Sequence, residues 1–243
     1  MKSVSMTSRR KFLTSISAVG AAGALLAFSG LTASAEVPAM SKETQGAMSP
    51  EEALKALKEG NKRFVSGKML ERNLMDQVRS TAAGQFPFGL VLGCIDSRVP
   101  PEYVFDQGIG DLFSSRIAGN YADTGIIGGI EFAAKLAGAK LVVVLGHSEC
   151  GAVKGACDFA RLGNLTHTLS NITPAVYAVN DVEGERTSRN KVFVQKVADE
   201  NVRLNVKVLT ERSVVLRELV EEGKLKIVGA MHDVHTGVVT FFD

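Results

Sequence analysis

The chain has 243 residues, with 28 Lys and Arg against 26 Asp and Glu, and is long enough for one domain with a sizeable core. No basic run or aromatic-interleaved basic strip occurs, which argues against nucleic acid as a partner. Three cysteines, an odd number in a chain of this size, argue against a small scaffold stapled by disulfides.

Residues 1–35 read as a targeting segment rather than as part of the fold. A basic start (Lys2, Arg9, Arg10, Lys11) precedes an apolar stretch from about Ile16 to Leu31, and Ala33-Ser34-Ala35 has the small-x-small pattern that a signal peptidase cuts after Ala35. Ser8-Arg9-Arg10-Lys11-Phe12-Leu13 looks like a twin-arginine export signal, an address read by machinery that moves folded proteins across a membrane. The expectation is a periplasmic protein. An uncleaved membrane anchor is the alternative, and the Ser, Gly and Thr diluting the stretch fit a removable segment better. Removal leaves 24 basic against 26 acidic residues, a net charge of −2.

Residues 36–49 lack a period and read as a linker. Ser49-Pro50-Glu51-Glu52 then opens a helix, with Ser49 as N-cap and Pro50 at the first helical position. Leu54, Leu57 and Phe64 carry its apolar stripe to about Ser66, and the helix is expected to serve as an N-terminal arm. Apolar runs without alternation at 88–94 and 140–147 read as strands buried on both faces, and 111–117 and 224–230 complete four. Helical stretches are expected at 123–138, 150–161, 168–180, 188–211 and 213–222, and 238–242 is a candidate edge strand. Strands alternating with helices define an α/β fold: a mostly parallel central sheet flanked by helices, spanning 50–243 as one domain.

In such sheets, sites form beyond the carboxyl ends of the strands, where Cys94 and His147 fall. Cys94, His147 and Cys150 together match the Cys₂His donor set of some catalytic zinc sites, with a fourth position open. Two other readings stand beside this one: the cysteines as inert core residues, or Cys150 as a nucleophile with His147 as its base. Free thiols are hazardous in an oxidising compartment, and folding with metal before export protects them.

Cys94-Ile95-Asp96-Ser97-Arg98 followed by His147-Ser148-Glu149-Cys150 resembles the β-class carbonic anhydrases, with their C-x-D-x-R and H-x-x-C motifs. The resemblance runs from the helix at 50 to the last strand. It implies a zinc enzyme that reversibly hydrates CO₂ to bicarbonate and a proton through a zinc-bound hydroxide, with Cys94, His147 and Cys150 as ligands. It further implies Asp96 and Arg98 as a catalytic pair, Gln85 as a hydrogen-bond donor to substrate, and a homodimer or higher homo-oligomer. Some relatives swing the aspartate onto zinc, giving a closed state. Where relatives that bind regulatory bicarbonate carry a tryptophan, this chain has Val91, and it has no Trp at all.

On the same scaffold, hydrolysis of a CO₂-like molecule such as carbonyl sulfide is a rival activity, and a non-catalytic zinc-binding module is a rival class. Cys157 reads as core filler. His232 and His235 follow the fourth strand, where a strand-end hydrogen bond is the ordinary role and proton shuttling the alternative. Gly125, Gly128 and Gly129 are expected to permit close packing of helix on sheet.

Overall fold

The apolar runs become the centre of a five-stranded sheet, because strands buried on both faces need helices above and below them. A computed structural model describes residues 37–242; the signal segment read over 1–35 lies outside the described residues. In chain order the elements are α1 (Lys42–Ala47), α2 (Pro50–Val65), α3 (Leu74–Thr81), β1 (Gly89–Gly93), α4 (Pro101–Val104), β2 (Leu112–Arg116) and α5 (Thr124–Glu131), which runs on as a π-helical turn over Phe132–Leu136. There follow β3 (Leu141–His147), α6 (Gly151–Cys157), α7 (Leu165–Ser170), α8 (Thr173–Ala178), α9 (Lys191–Arg212), α10 (Val214–Glu221), β4 (Lys226–His232) and β5 (Val239–Phe241).

The strand order is β2-β1-β3-β4-β5, with the first four parallel and β5 antiparallel to β4 at the edge. Alternate residues of β1 and β3 feed two separate cores. Leu90, Leu92, Val142 and Val144 pack with Ile127 and Ile130 of α5 and Val194 and Val197 of α9. Val91, Leu141, Val143 and Leu145 pack on the other face with Ala53 and Leu57 of α2 and with Val104 and Phe105. The close approach of α9 needs glycine at Gly146, where a Cβ would stand 2.6 Å from Val202 Cγ2.

Helix α2 starts as its sequence requires. Ser49 Oγ accepts from the Glu52 N–H, and Glu52 accepts from the Ser49 N–H, closing a capping box in front of Pro50. The π-helical turn at the end of α5 and the break between α7 and α8 split two stretches that periodicity reads as continuous helices. Residues 42–47, read as linker, are helical instead. Gln45 is buried there and donates to Pro87 O and Ala137 O, so side-chain hydrogen bonds fix a segment that has no apolar period.

The glycines of α5 do not serve close packing: a Cβ at Gly128 or Gly129 would meet nothing within 4 Å, and at Gly125 only Asp123 Oδ1 at 3.4 Å. What positions the site is the strand order. The chain leaves β1 toward β2 on one side, while β3 lies on the other, so the carboxyl ends of β1 and β3 flank the point where the winding reverses.

Candidate metal centre

Cys94 follows the last residue of β1, and His147 ends β3, so the sheet brings together two residues 53 apart in sequence. The turn Ser148-Glu149 then returns the chain to Cys150 at the start of α6. Glu149 takes φ 58°, a left-handed conformation that a non-glycine residue adopts at some cost, and this tight turn sets Cys150 beside His147.

The two sulfurs and an imidazole nitrogen all lie within 4.8 Å of one another, and all three residues are buried. The sulfurs are 4.0 Å apart. This matches the roughly 3.8 Å that a tetrahedral ion at about 2.3 Å from each would impose. His147 Nδ1 is 2.9 Å from Ser148 O, so it carries the proton and leaves the lone pair on Nε2. Nε2 is buried without a partner, a position that a buried nitrogen holds at a cost unless something coordinates it. The donor set and this orphaned nitrogen fit a zinc ion.

The two thiols are hydrogen-bonded to each other, so their titrations are linked. The Cys150 thiol, His147 and the Gly119 N–H, 3.3 Å from Sγ, stabilise the Cys94 thiolate and, against the opposing effect of burial, move that thiol down. Cys150, which shares its proton with Cys94 and is buried, moves up. Gly119 itself has φ 82°, and a Cβ there would stand 2.3 Å from Ile172 Cδ1, so only glycine offers its N–H at this spot. Cys150 is buried with its sulfur 4.0 Å from that of Cys94 and with His147 alongside, a paired-thiol setting that suits a metal better than a free nucleophile. Cys157 is buried and its thiol is pushed up to about 11 by desolvation, in keeping with a core role.

Asp96 stands beside the cluster, its Oδ2 3.9 Å from His147 Nε2. Arg98 grips both its oxygens and holds the carboxyl well below the usual carboxylate range. Gln85 is not brought to this cluster within one chain: it is exposed before β1, whereas Cys94 lies beyond the opposite end of that strand. His232 pairs with His147 in the β3–β4 register, but its ring makes no strand-end hydrogen bond; both nitrogens are buried without partners.

One residue absent from the motifs also builds the site. Arg116, at the end of β2, donates from Nε to Cys94 O (2.8 Å) and from Nη2 to Asp96 O (2.6 Å), clamping the backbone of the Cys94–Asp96 loop. Sequence offers no signal for this role beyond a charged residue closing a strand. A cavity of about 280 Å³ opens beside Cys94 and Asp96, walled mainly by Ala118, Ala152, Gly155, Ala160, Leu165 and Leu169. Its walls are apolar and its polar groups are few, which suits a small uncharged ligand.

Residues 89–239 match the family model for carbonic anhydrase. The chain is 37% identical over 194 residues to "Carbonic anhydrase 2" of Mycobacterium tuberculosis, covering 77% of this chain and 90% of that protein. It is 35% identical to a carbonic anhydrase of Mycolicibacterium smegmatis, over 78% and 92% of the two chains. Among solved structures, the β-carbonic anhydrase CafA of Aspergillus fumigatus superimposes with a TM-score of 0.61 at 28% identity, covering 79% of this chain and 90% of that one. A tetrameric β-carbonic anhydrase of Sordaria macrospora gives 0.59 at 27% identity, covering 68% and 84%. The chain belongs to the β-class carbonic anhydrase family.

Proposed function

We propose that Cys94, His147 and Cys150 hold a catalytic Zn²⁺ and that the site converts CO₂ and water reversibly into bicarbonate and a proton. The observation that carries this reading is the buried, unpartnered Nε2 of His147 facing two thiols. When bound, zinc lowers the pKa of a coordinated water from 15.7 to about 7, which supplies the nucleophile at neutral pH.

The remaining steps belong to the protein. Asp96, held ionised by Arg98, is an acceptor that orders the proton of the attacking water, leaving its lone pair free to reach the carbon of CO₂. The aspartate engaged by Arg98 matches the open arrangement rather than one that swings onto the metal. The apolar cavity beside Cys94 and Asp96 receives CO₂, a small uncharged molecule. The Asp96–Arg98 pair built against the cluster favours catalysis over a zinc site that only stabilises the fold.

The site test is metal analysis of the purified protein together with a stopped-flow CO₂ hydration assay. Stoichiometric zinc with catalysed hydration is expected. Zinc without activity would overturn the catalytic reading, and protein that takes up no zinc would overturn the ligand assignment.

The unit that does this work is a homo-oligomer, at least a dimer. Exposed Met69, Leu70, Leu74, Met75, Val78 and Tyr103 offer a large apolar surface that a monomer would leave in water. Sedimentation at micromolar concentration is expected to give no monomer. We assign the protein to the periplasm through the twin-arginine segment at Arg9-Arg10. Its three cysteines are buried, as suits a protein that folds before meeting an oxidising compartment.

A further inference from the structure

We propose that Ser148, anchored by Asp233, is the positioning residue of the metal site: it fixes both the turn between His147 and Cys150 and the tautomer of His147. The inference rests on the Cys94-His147-Cys150 ligand reading above.

All three polar groups of Ser148 are committed. Its carbonyl oxygen accepts from His147 Nδ1 at 2.9 Å, which leaves the Nε2 lone pair toward the thiols. Its N–H donates to His232 O at 2.9 Å, carrying the β3–β4 ladder one residue past the end of β3. Its hydroxyl accepts from the Val234 N–H at 3.0 Å and donates to Asp233 Oδ1 at 3.3 Å. One serine thus ties a ligand's ring and its own peptide plane to a turn 85 residues away.

That turn is a closed platform. Asp233 Oδ1 also accepts from the His235 N–H at 2.8 Å, and Oδ2 accepts from Thr236 Oγ1 at 3.0 Å. Its backbone closes the turn as well, with Asp233 N–H donating to Val238 O at 2.9 Å and Gly237 N–H donating to Asp233 O at 2.8 Å. Antiparallel β5 follows directly. Against such a support the Ser148 peptide has one orientation. Without the hydroxyl, the strained turn through Glu149 at φ 58° loses its side-chain anchor, and the Ser148 carbonyl can rotate away from His147.

A merely structural contact would lower the stability of the metal-free fold and leave metal binding alone. The test therefore compares the wild type with Ser148→Ala, Ser148→Thr and Asp233→Asn in three readouts. These are zinc release to a chelator, the absorption of the Co²⁺-substituted protein, and the Tm of the metal-free form. Ser148→Ala is expected to release zinc about 10- to 100-fold faster and to shift the Co²⁺ bands, with the metal-free Tm within about 3 °C of wild type. Ser148→Thr, which keeps the hydroxyl, should restore both metal readouts, and Asp233→Asn should fall between. Should Ser148→Ala fail to fold, Asp233→Asn carries the same comparison. Wild-type release and spectrum in the variants, a fall in metal-free Tm alone, or failure of Ser148→Thr to rescue would overturn the inference while zinc-binding wild type upholds the ligand set. Wild-type protein that takes up neither Co²⁺ nor Zn²⁺ would overturn both.

Discussion

Arg98 and Asp96 form a two-pronged pair, with Nε 2.9 Å from Oδ1 and Nη2 2.8 Å from Oδ2, and the Arg98 backbone N–H donates to Oδ1 as well. Two side-chain bonds and a main-chain bond leave the carboxylate one orientation. Asp96→Asn keeps the shape but removes the charge and one acceptor. Zinc content should hold at the wild-type level while CO₂ hydration falls by more than about tenfold.

The same pair determines a pH behaviour. Hydrogen bonds from Arg98 depress the Asp96 carboxyl below its ordinary value of 3.8, so it stays ionised at every higher pH and its contribution is lost only on acidification through the depressed value. The wild-type pH–rate profile should therefore show no limb assignable to Asp96 above pH 3.8. A limb in that range that disappears in Asp96→Asn would contradict this.

Cys94→Ala, His147→Ala and Cys150→Ala are each expected to lose zinc and activity together, since three protein donors leave no redundancy. Full zinc stoichiometry in any of the three would remove that residue from the ligand set.

Arg116 holds two carbonyl oxygens with a planar fork, a geometry that lysine cannot reproduce. Arg116→Lys should lower kcat by roughly tenfold, through a displaced Asp96, with zinc retained. Unchanged kcat would show that the loop keeps its place without the clamp.

His232 is neutral over an unusually wide range. Burial brings it from 6.5 to about 4; neighbouring His147 and Arg98 act in the same direction, and Asp233 and Asp96 oppose it. The unfolded chain therefore binds this proton first as pH falls. The stability is complete above 6.5, declines toward 4, and amounts to about 3 kcal/mol at most. Denaturant titration of the metal-free protein should show wild type losing about 2 kcal/mol more than His232→Gln between about pH 7 and pH 5. Parallel losses in the two proteins would assign the neutral state of His232 no role in acid stability.

Replacing Arg9 and Arg10 together by Lys is expected to hold the precursor in the cytoplasm. Fractionation of cells that finds undiminished periplasmic protein would point to another export route.

The sequence by itself determined the sheet and the centre of the site. Unbroken apolar runs marked strands covered on both faces, and motifs that end two of those strands carried Cys94, Asp96, Arg98, His147 and Cys150 to one place. Local chemistry was enough there because each motif spans only a few residues. Helix α3 was not legible: Leu74, Met75 and Val78 are exposed, so its apolar residues do not mark a core-facing stripe, while its buried residue is Gln77, bonded to Val37 O and the Ile109 N–H. Nor could sequence place Gln85, since the length of β1 separates it from Cys94. Tertiary structure alone decided the supports of the site. Arg116 grips carbonyl oxygens 20 and 22 residues away, and Ser148 reaches Asp233 across 85. Such bonds run between a side chain and whatever backbone or side chain the fold brings near, and a backbone carbonyl is the same group at every position, so no residue pattern announces them.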